Sequence, residues 1–232
     1  MNKYMIAVMM ILPMASFADE KHHEDPTKVV TKLGLGYSDE LIFSGSIGLD
    51  QSRMINARTN KDASEWRLGG SWLFDVGIMN FNFSRAEYDG GSTKDSYSVG
   101  TFVPMSYFGF SPGGWQLFPM AGINYSDGEI YTKKTSAEDF DDLDGSNLIL
   151  ISSSSNSAYI GGFALKPLTE KFSLSAVLGG MKGSDDYSSY WAGTGVSYKI
   201  SGNQSCNIFG FISDDDYGRR EKVSFSYSYQ FN

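Results

Sequence analysis

The chain has 232 residues, with 27 acidic against 19 basic side chains, a net charge of −8 at pH 7, 15% aromatic residues and 26 glycines. An acidic balance of this size lacks the basic footprint that a nucleic-acid partner requires. A single cysteine, Cys206, excludes an internal disulfide and is expected to serve as a small hydrophobe on a strand.

The first residues carry Lys3, an apolar run from Tyr4 to Met14, and small residues at Ser16 and Ala18. That is the pattern of a secretory signal peptide over residues 1–18, cleaved after about Ala18. The run is too short for a spanning helix, which takes about 20 apolar residues. Asp19, not a cysteine, follows the expected cleavage site, so a lipoprotein anchor is not expected. Residues 19–28 (DEKHHEDPTK) are charged, aperiodic and interrupted by Pro26, and predict a flexible arm on the periplasmic side.

From Val29 onward the sequence alternates. Leu33, Leu35 and Tyr37 oppose Lys32, Gly34 and Gly36; after Asp39-Glu40, Leu41, Phe43, Ile47 and Leu49 oppose Ser44, Ser46 and Gly48. Successive strand side chains point to opposite faces, so one wall is apolar and the other small and polar. Residues 53–59 are the weakest segment, because Arg53 and Arg58 interrupt it. Trp66, Leu68, Trp72 and Phe74 face away from Arg67, Gly69 and Ser71; Met79, Phe81 and Phe83 face away from Asn80 and Asn82. Tyr97, Val99, Thr101, Val103, Met105 and Tyr107 predict one long strand, with Pro104 as an irregularity near a rim. After a Ser-Pro-Gly-Gly turn, residues 115–125 resume the pattern.

Residues 127–155 break the pattern and predict a long loop, acidic in its first half through Glu138, Asp139, Asp141, Asp142 and Asp144. Strands follow at 158–165, 172–180 and 190–200, the last pairing Tyr190, Ala192 and Thr194 against Trp191, Gly193, Gly195 and Lys199. Residues 205–213 form the next strand, and 214–220 a charged loop. The last segment places Val223, Phe225, Tyr227, Tyr229 and Phe231 on one face, and Lys222, Ser224, Ser226, Ser228 and Gln230 on the other.

These segments predict an all-β chain, one antiparallel transmembrane β-barrel over residues 29–232, with twelve strands, or ten if residues 53–59 are not a strand. Lys32, Arg67, Asn80, Asn82, Lys199 and Lys222 fall on the parity of the glycines and serines and are expected to line the lumen. The closing strand resembles the C-terminal assembly signal of bacterial outer-membrane proteins through Phe225, Tyr227, Tyr229 and Phe231, although Asn232 follows the final aromatic. Across residues 29–231 the strand pattern is similar to the translocator barrels of autotransporters, and to solitary barrels of that kind without a passenger. The resemblance implies an outer-membrane location, contact with lipid and lipopolysaccharide, and delivery by the barrel-assembly machinery.

Enzymes on outer-membrane barrels generally need a base poised near neutral pH, and imidazole supplies it. The two histidines here, His22 and His23, both lie in the N-terminal arm, so no catalytic residue is assigned and a non-enzymatic barrel is expected. The pair, with Glu20, Glu24 and Asp25, has the donors for weak metal binding, but a solvated arm is the simpler expectation, and no metal or cofactor site is assigned. The run from Asp139 to Gly145 fails the calcium-loop pattern, with Leu143 and Asp144 at its fifth and sixth positions. Divalent cations shared with lipopolysaccharide phosphates are the functional alternative to a solvated acidic loop. A lumen lined by Gly, Ser and Asn leaves room for water in twelve strands, which points to a porin-like passive channel for small solutes. The alternative is a closed surface or structural barrel, plugged by the loop at 127–155 or by the arm.

Overall fold

Every strand of the chain pairs antiparallel with its sequence neighbours, and the last pairs with the first. In the computed structural model, which describes residues 22, 24–88, 91–133 and 148–231, they form a closed barrel of twelve strands. The strands are β1 (Thr31–Tyr37), β2 (Leu41–Gly48), β3 (Arg53–Asn60), β4 (Trp66–Phe74), β5 (Gly77–Glu87) and β6 (Thr93–Phe102). They continue with β7 (Gln116–Lys133), β8 (Leu148–Pro167), β9 (Phe172–Gly183), β10 (Ser188–Lys199), β11 (Gln204–Asp215) and β12 (Gly218–Phe231). Closure sets Leu33 against Tyr229 and Tyr37 against Phe225. No sheet edge is left unpaired, as a strand in lipid requires.

The outward wall is apolar. Leu33, Phe43, Ile47, Trp72, Ile123, Ile160, Leu178 and Val223 are all exposed on it, together with Phe225, Tyr227, Tyr229 and Phe231. An apolar belt of this extent around a closed barrel is a lipid-facing surface. β1 begins and β12 ends at one end of the barrel, where tight turns join the strands. Asp50 makes one of them by accepting from the backbone N–H groups of Ser52 and Arg53 at 2.8 and 2.7 Å. Hydrogen bonds from the Arg53 guanidinium and from Ser52 hold the Asp50 carboxyl well below the usual carboxylate range.

The expected twelve strands are present: residues 53–59 are strand, with Arg53 at the rim on Asp50, and the alternative of ten falls away. Three expectations change. The run through Tyr107 ends early, because Pro104 lacks an N–H for the ladder and residues Met105–Phe108 close into a 3-10 turn. Most of the expected loop at 127–155 is strand as well: β7 and β8 run on as a paired ribbon through Lys133 and Leu148. Their 18 and 20 residues exceed the roughly 9–11 that cross a bilayer, so the ribbon stands beyond the membrane at the end away from the start of β1. The acidic positions 138–144 lie outside the described residues. The charged loop expected at 214–220 shrinks to the two residues Asp216 and Tyr217.

Candidate functional site: the lumen and its two mouths

Inward-facing residues divide the lumen into two unlike halves. Along β5 to β11 the inward positions hold bulk: Ile78, Phe118, Met120 and Leu165 are buried. Tyr159 meets Trp191 edge to face at 6.2 Å. The glycines opposite are there to admit these rings. A Cβ at Gly100 or Gly122 would collide with the Tyr159 hydroxyl, and one at Gly193 would stand 2.7 Å from the Phe209 ring. Glycine on the inward parity therefore marks ring-over-glycine packing here, a known way to hold strand register. The sequence reading, that small inward residues leave room for water, fails for this half.

Along β12 and β1 to β4 the inward positions are polar and basic. A cavity of about 340 Å³ lies there, lined by Lys28, Lys32, Ser44, Ser46, Asn56, Arg58 and Arg67, with Glu24 and Asp25 at its other end. Arg58 and Arg67 are direct cross-strand partners and both stay solvent-accessible. Like charges set opposite each other in a sheet repel. Glu65 is the nearby carboxylate, and it is taken by Arg220 and by Lys222, the latter at 2.9 Å. A larger cavity, about 1000 Å³, lies over Ile55, Leu68, Phe81, Tyr97, Val99 and Ile123. Those side chains face outward and give that hollow its apolar wall on the lipid surface, although Asn82, Ser98 and Asn124 of the inward parity also border it.

The mouth beside the start of β1 is crossed by the N-terminal segment. Asp25 accepts from the Thr27 N–H and hydroxyl, both at 2.7 Å, turning the chain back on itself. Thr27 is buried, Ser46 donates to the Val30 carbonyl at 2.7 Å, and Glu24 accepts from Ser197 of β10 at 2.9 Å. Residues 24–28, described residues of the arm expected over 19–28, together with residues 29 and 30 thus lie across the opening from β1 to β10. A short polar segment meets hydrogen-bond partners on the lumen wall that composition does not reveal. Burial lowers the His22 pKa from its ordinary value, against the opposing pull of Glu24 and Asp25. Among the described residues no three His, Cys, Asp or Glu side chains come together to hold a metal.

The opposite mouth is bridged. Lys94 of β6 and Asp215 of β11 form an ion pair, 12% and 4% exposed, although their strands stand nearly across the ring from each other. Three loop tyrosines, Tyr88, Tyr187 and Tyr217, pack around it and are buried. Tyr88 donates to Asp215 at 2.9 Å, Lys94 donates to the Tyr187 oxygen at 2.8 Å, and Tyr217 donates to the Ser153 carbonyl at 2.8 Å. The Lys94 ammonium also lies 5.3 Å from the Tyr217 ring centre, and the Arg220 guanidinium 5.2 Å from that of Tyr88. Burial, reinforced by the Asp215 carboxylate, pushes the Tyr88 and Tyr187 hydroxyls far above the usual phenol range, so both remain donors.

The residues expected to line the lumen occupy these places. Lys32 and Arg67 line the basic cavity, and Lys222 is on Glu65. Asn80 accepts from Ser71 at 2.8 Å, Asn82 lies beside Gly69, and Lys199 acts on His22 near the arm. Sequence reasoning missed Arg58, Lys94, Tyr88, Tyr187, Asp215 and Tyr217. A signal existed for Lys94, which shares the parity of Ser96 and Ser98.

No family model matches the chain, and no curated protein matches it. Among solved structures it is similar to the translocator domain of the autotransporter NalP from Neisseria meningitidis. That match has 11% identity over 87% of this chain and 86% of the other, with a TM-score of 0.50. It is also similar to an outer membrane channel from Pseudomonas putida F1, at 11% identity over 91% and 100% of the two chains and a TM-score of 0.47. The β domain of the Bordetella autotransporter BrkA aligns at 11% identity over 87% and 97%, with a TM-score of 0.43. At these identities the likeness is one of fold, and the fold is that of an outer-membrane β-barrel.

Proposed function

We propose that the protein is a porin-like passive channel for small solutes in the outer membrane of a Gram-negative envelope, narrowed at both mouths in the conformation described. The observation that carries this is the polar cavity of about 340 Å³ inside a barrel whose other half is packed with rings. A purely structural barrel gains nothing from setting Arg58 against Arg67 in its lumen, because like charges placed opposite each other in a sheet repel. The end with the start of β1 is periplasmic in this reading, the β7–β8 ribbon stands outside toward lipopolysaccharide, and the signal leaves after Ala18. The chemistry is non-enzymatic: both histidines precede the barrel wall in the sequence, and no nucleophile–base pair is assigned.

A second reading, a closed surface or envelope-stabilising barrel, is favoured by a specific observation: the Lys94–Asp215 pair and its tyrosines span the far mouth while residues 24–30 cross the near one. Single-channel recording of the refolded mature protein separates the two. A channel gives discrete steps that grow in Asp215→Asn and in a variant lacking residues 22–28. Silence in the native protein and in both variants, each verified as folded by heat-modifiable gel mobility, would leave the closed barrel as the function.

A further inference from the structure

We infer that Arg58 and Arg67 form a binding site in the lumen for a small organic oxyanion, a solute carrying carboxylate or phosphate groups. This deepens the channel reading and takes it as its frame: a solute moving along the lumen passes this pair. Three observations carry it. Arg58 and Arg67 are direct cross-strand partners on β3 and β4, flanked at the same level by Ser44 and Ser84, which are too short to fill the space between them and the cavity. Among the described residues neither guanidinium has a carboxylate within ion-pair distance, since Glu65 is engaged by Arg220 and Lys222. The charged groups that act on Arg67 are the guanidiniums of Arg58 and Arg220, and those that act on Arg58 are Glu65 and Arg220.

Two planar forks held side by side without an anion repel each other, and each presents paired N–H donors that match a carboxylate or a phosphate two at a time. An anion between them converts that repulsion into two charge-assisted contacts. The cavity below them, about 340 Å³ and also lined by Lys28 and Lys32, admits the body of a small organic anion. The two acids at its far end are engaged elsewhere: Glu24 accepts from Ser197, and Asp25 from Thr27.

Titration calorimetry on the refolded full mature chain in neutral detergent tests this with citrate, inorganic phosphate and glucose at low salt. We expect citrate or phosphate to bind and glucose not to, with binding weakened by added salt. The double variant Arg58→Gln/Arg67→Gln should lose at least 10-fold in affinity, and Arg58→Lys/Arg67→Lys, which keeps the charge without the fork, should retain only part. Lys171→Gln, on an exposed turn, should change nothing. If the double glutamine variant fails to show heat-modifiable mobility, each single variant is measured instead, and each should lose at least 3-fold. No binding of either anion to the native chain, or equal binding by the glutamine variants, would overturn the site. Because calorimetry needs no conduction, binding without channel steps would defeat the channel and leave the site standing. Conduction without anion binding would do the reverse.

Discussion

The two halves of the lumen use the same backbone pattern for opposite ends. Along β5 to β11, inward glycines lie beneath rings: Gly100 and Gly122 under Tyr159, Gly193 beside Phe209. That half is filled, and its contents act as a core. Along β12 and β1 to β4, inward serines and asparagines stand beside Lys32, Arg58, Arg67 and Lys222, and a cavity remains. A barrel of twelve strands is wider than its side chains need to fill it. The difference between the halves shows how the surplus is distributed: one side consumes it with aromatic bulk and the other keeps it as solvated charge. The packed half is itself tied across its mouth by Lys94 on β6 and Asp215 on β11.

The tie is the most vulnerable point. Asp215→Ala strands the Lys94 ammonium, 12% exposed, among three buried tyrosines, and removing one partner of a buried pair costs about 3–5 kcal/mol. We expect faster hydrogen exchange in the loops carrying Tyr88 and Tyr187, and a lower urea midpoint. Replacing both partners, as Lys94→Met/Asp215→Leu, should cost clearly less; strict additivity of the two single changes would show that they do not act as a pair.

The packed half should resent added volume where the basic half tolerates it. Gly100→Ala places a Cβ against the Tyr159 hydroxyl and is expected to destabilise by roughly 1–3 kcal/mol. Adding Tyr159→Phe should recover part of that loss. Ser44→Thr beside the cavity also adds one methyl group and should stay within about 0.5 kcal/mol of the native barrel. Urea titration of the four proteins reads the contrast, and similar losses at Gly100 and Ser44 would erase the distinction between the halves.

Outside the lumen the effects are expected to be smaller in the folded barrel. Phe231 pairs with Thr31 at the seam and is 44% exposed on the outer wall. Its removal from lipid contact is worth up to about 2 kcal/mol. Phe231→Asp should also reduce the amount assembled in the outer membrane, read by heat-modifiable gel mobility, whereas Ser228→Thr should not. The smallest expected change comes from deleting residues 137–145, which lie between β7 and β8 in the sequence: conductance and ion selectivity should be unaltered, while calcium-dependent surface behaviour shifts. A large rise in conductance would mean that this segment belongs to the lumen.

Much of the wall was legible in the sequence. Strand side chains alternate by covalent geometry, so the parity of Phe225, Tyr227, Tyr229 and Phe231 was readable before any fold was known. Even Arg53 and Arg58, which made β3 the weakest expectation, obey the alternation once one is placed at a rim turn and the other in a solvated lumen. The run was misread only beyond Pro104, for a local reason: a missing N–H ends a ladder, and apolar Met105 and Tyr107 on the same parity cannot restore it.

The sequence by itself thus determined the element type, the outward face, the antiparallel order and the closing strand, because each follows from a period of two and from short turns. What the inward face does was decided only by tertiary structure. Inward parity says that Gly122, Ser44, Arg58 and Lys94 share a wall, but not what stands across the lumen from each. Barrel closure sets that: it brings β6 to face β11 across one mouth, lays residues 24–30 across the other, and sets Arg58 beside Arg67 with no carboxylate among the described residues in an ion pair with either. Contacts through the lumen join residues more than a hundred positions apart, as Lys94 and Asp215 are. A local pattern carries no information about such a partner, because the register that creates it accumulates strand by strand around the ring.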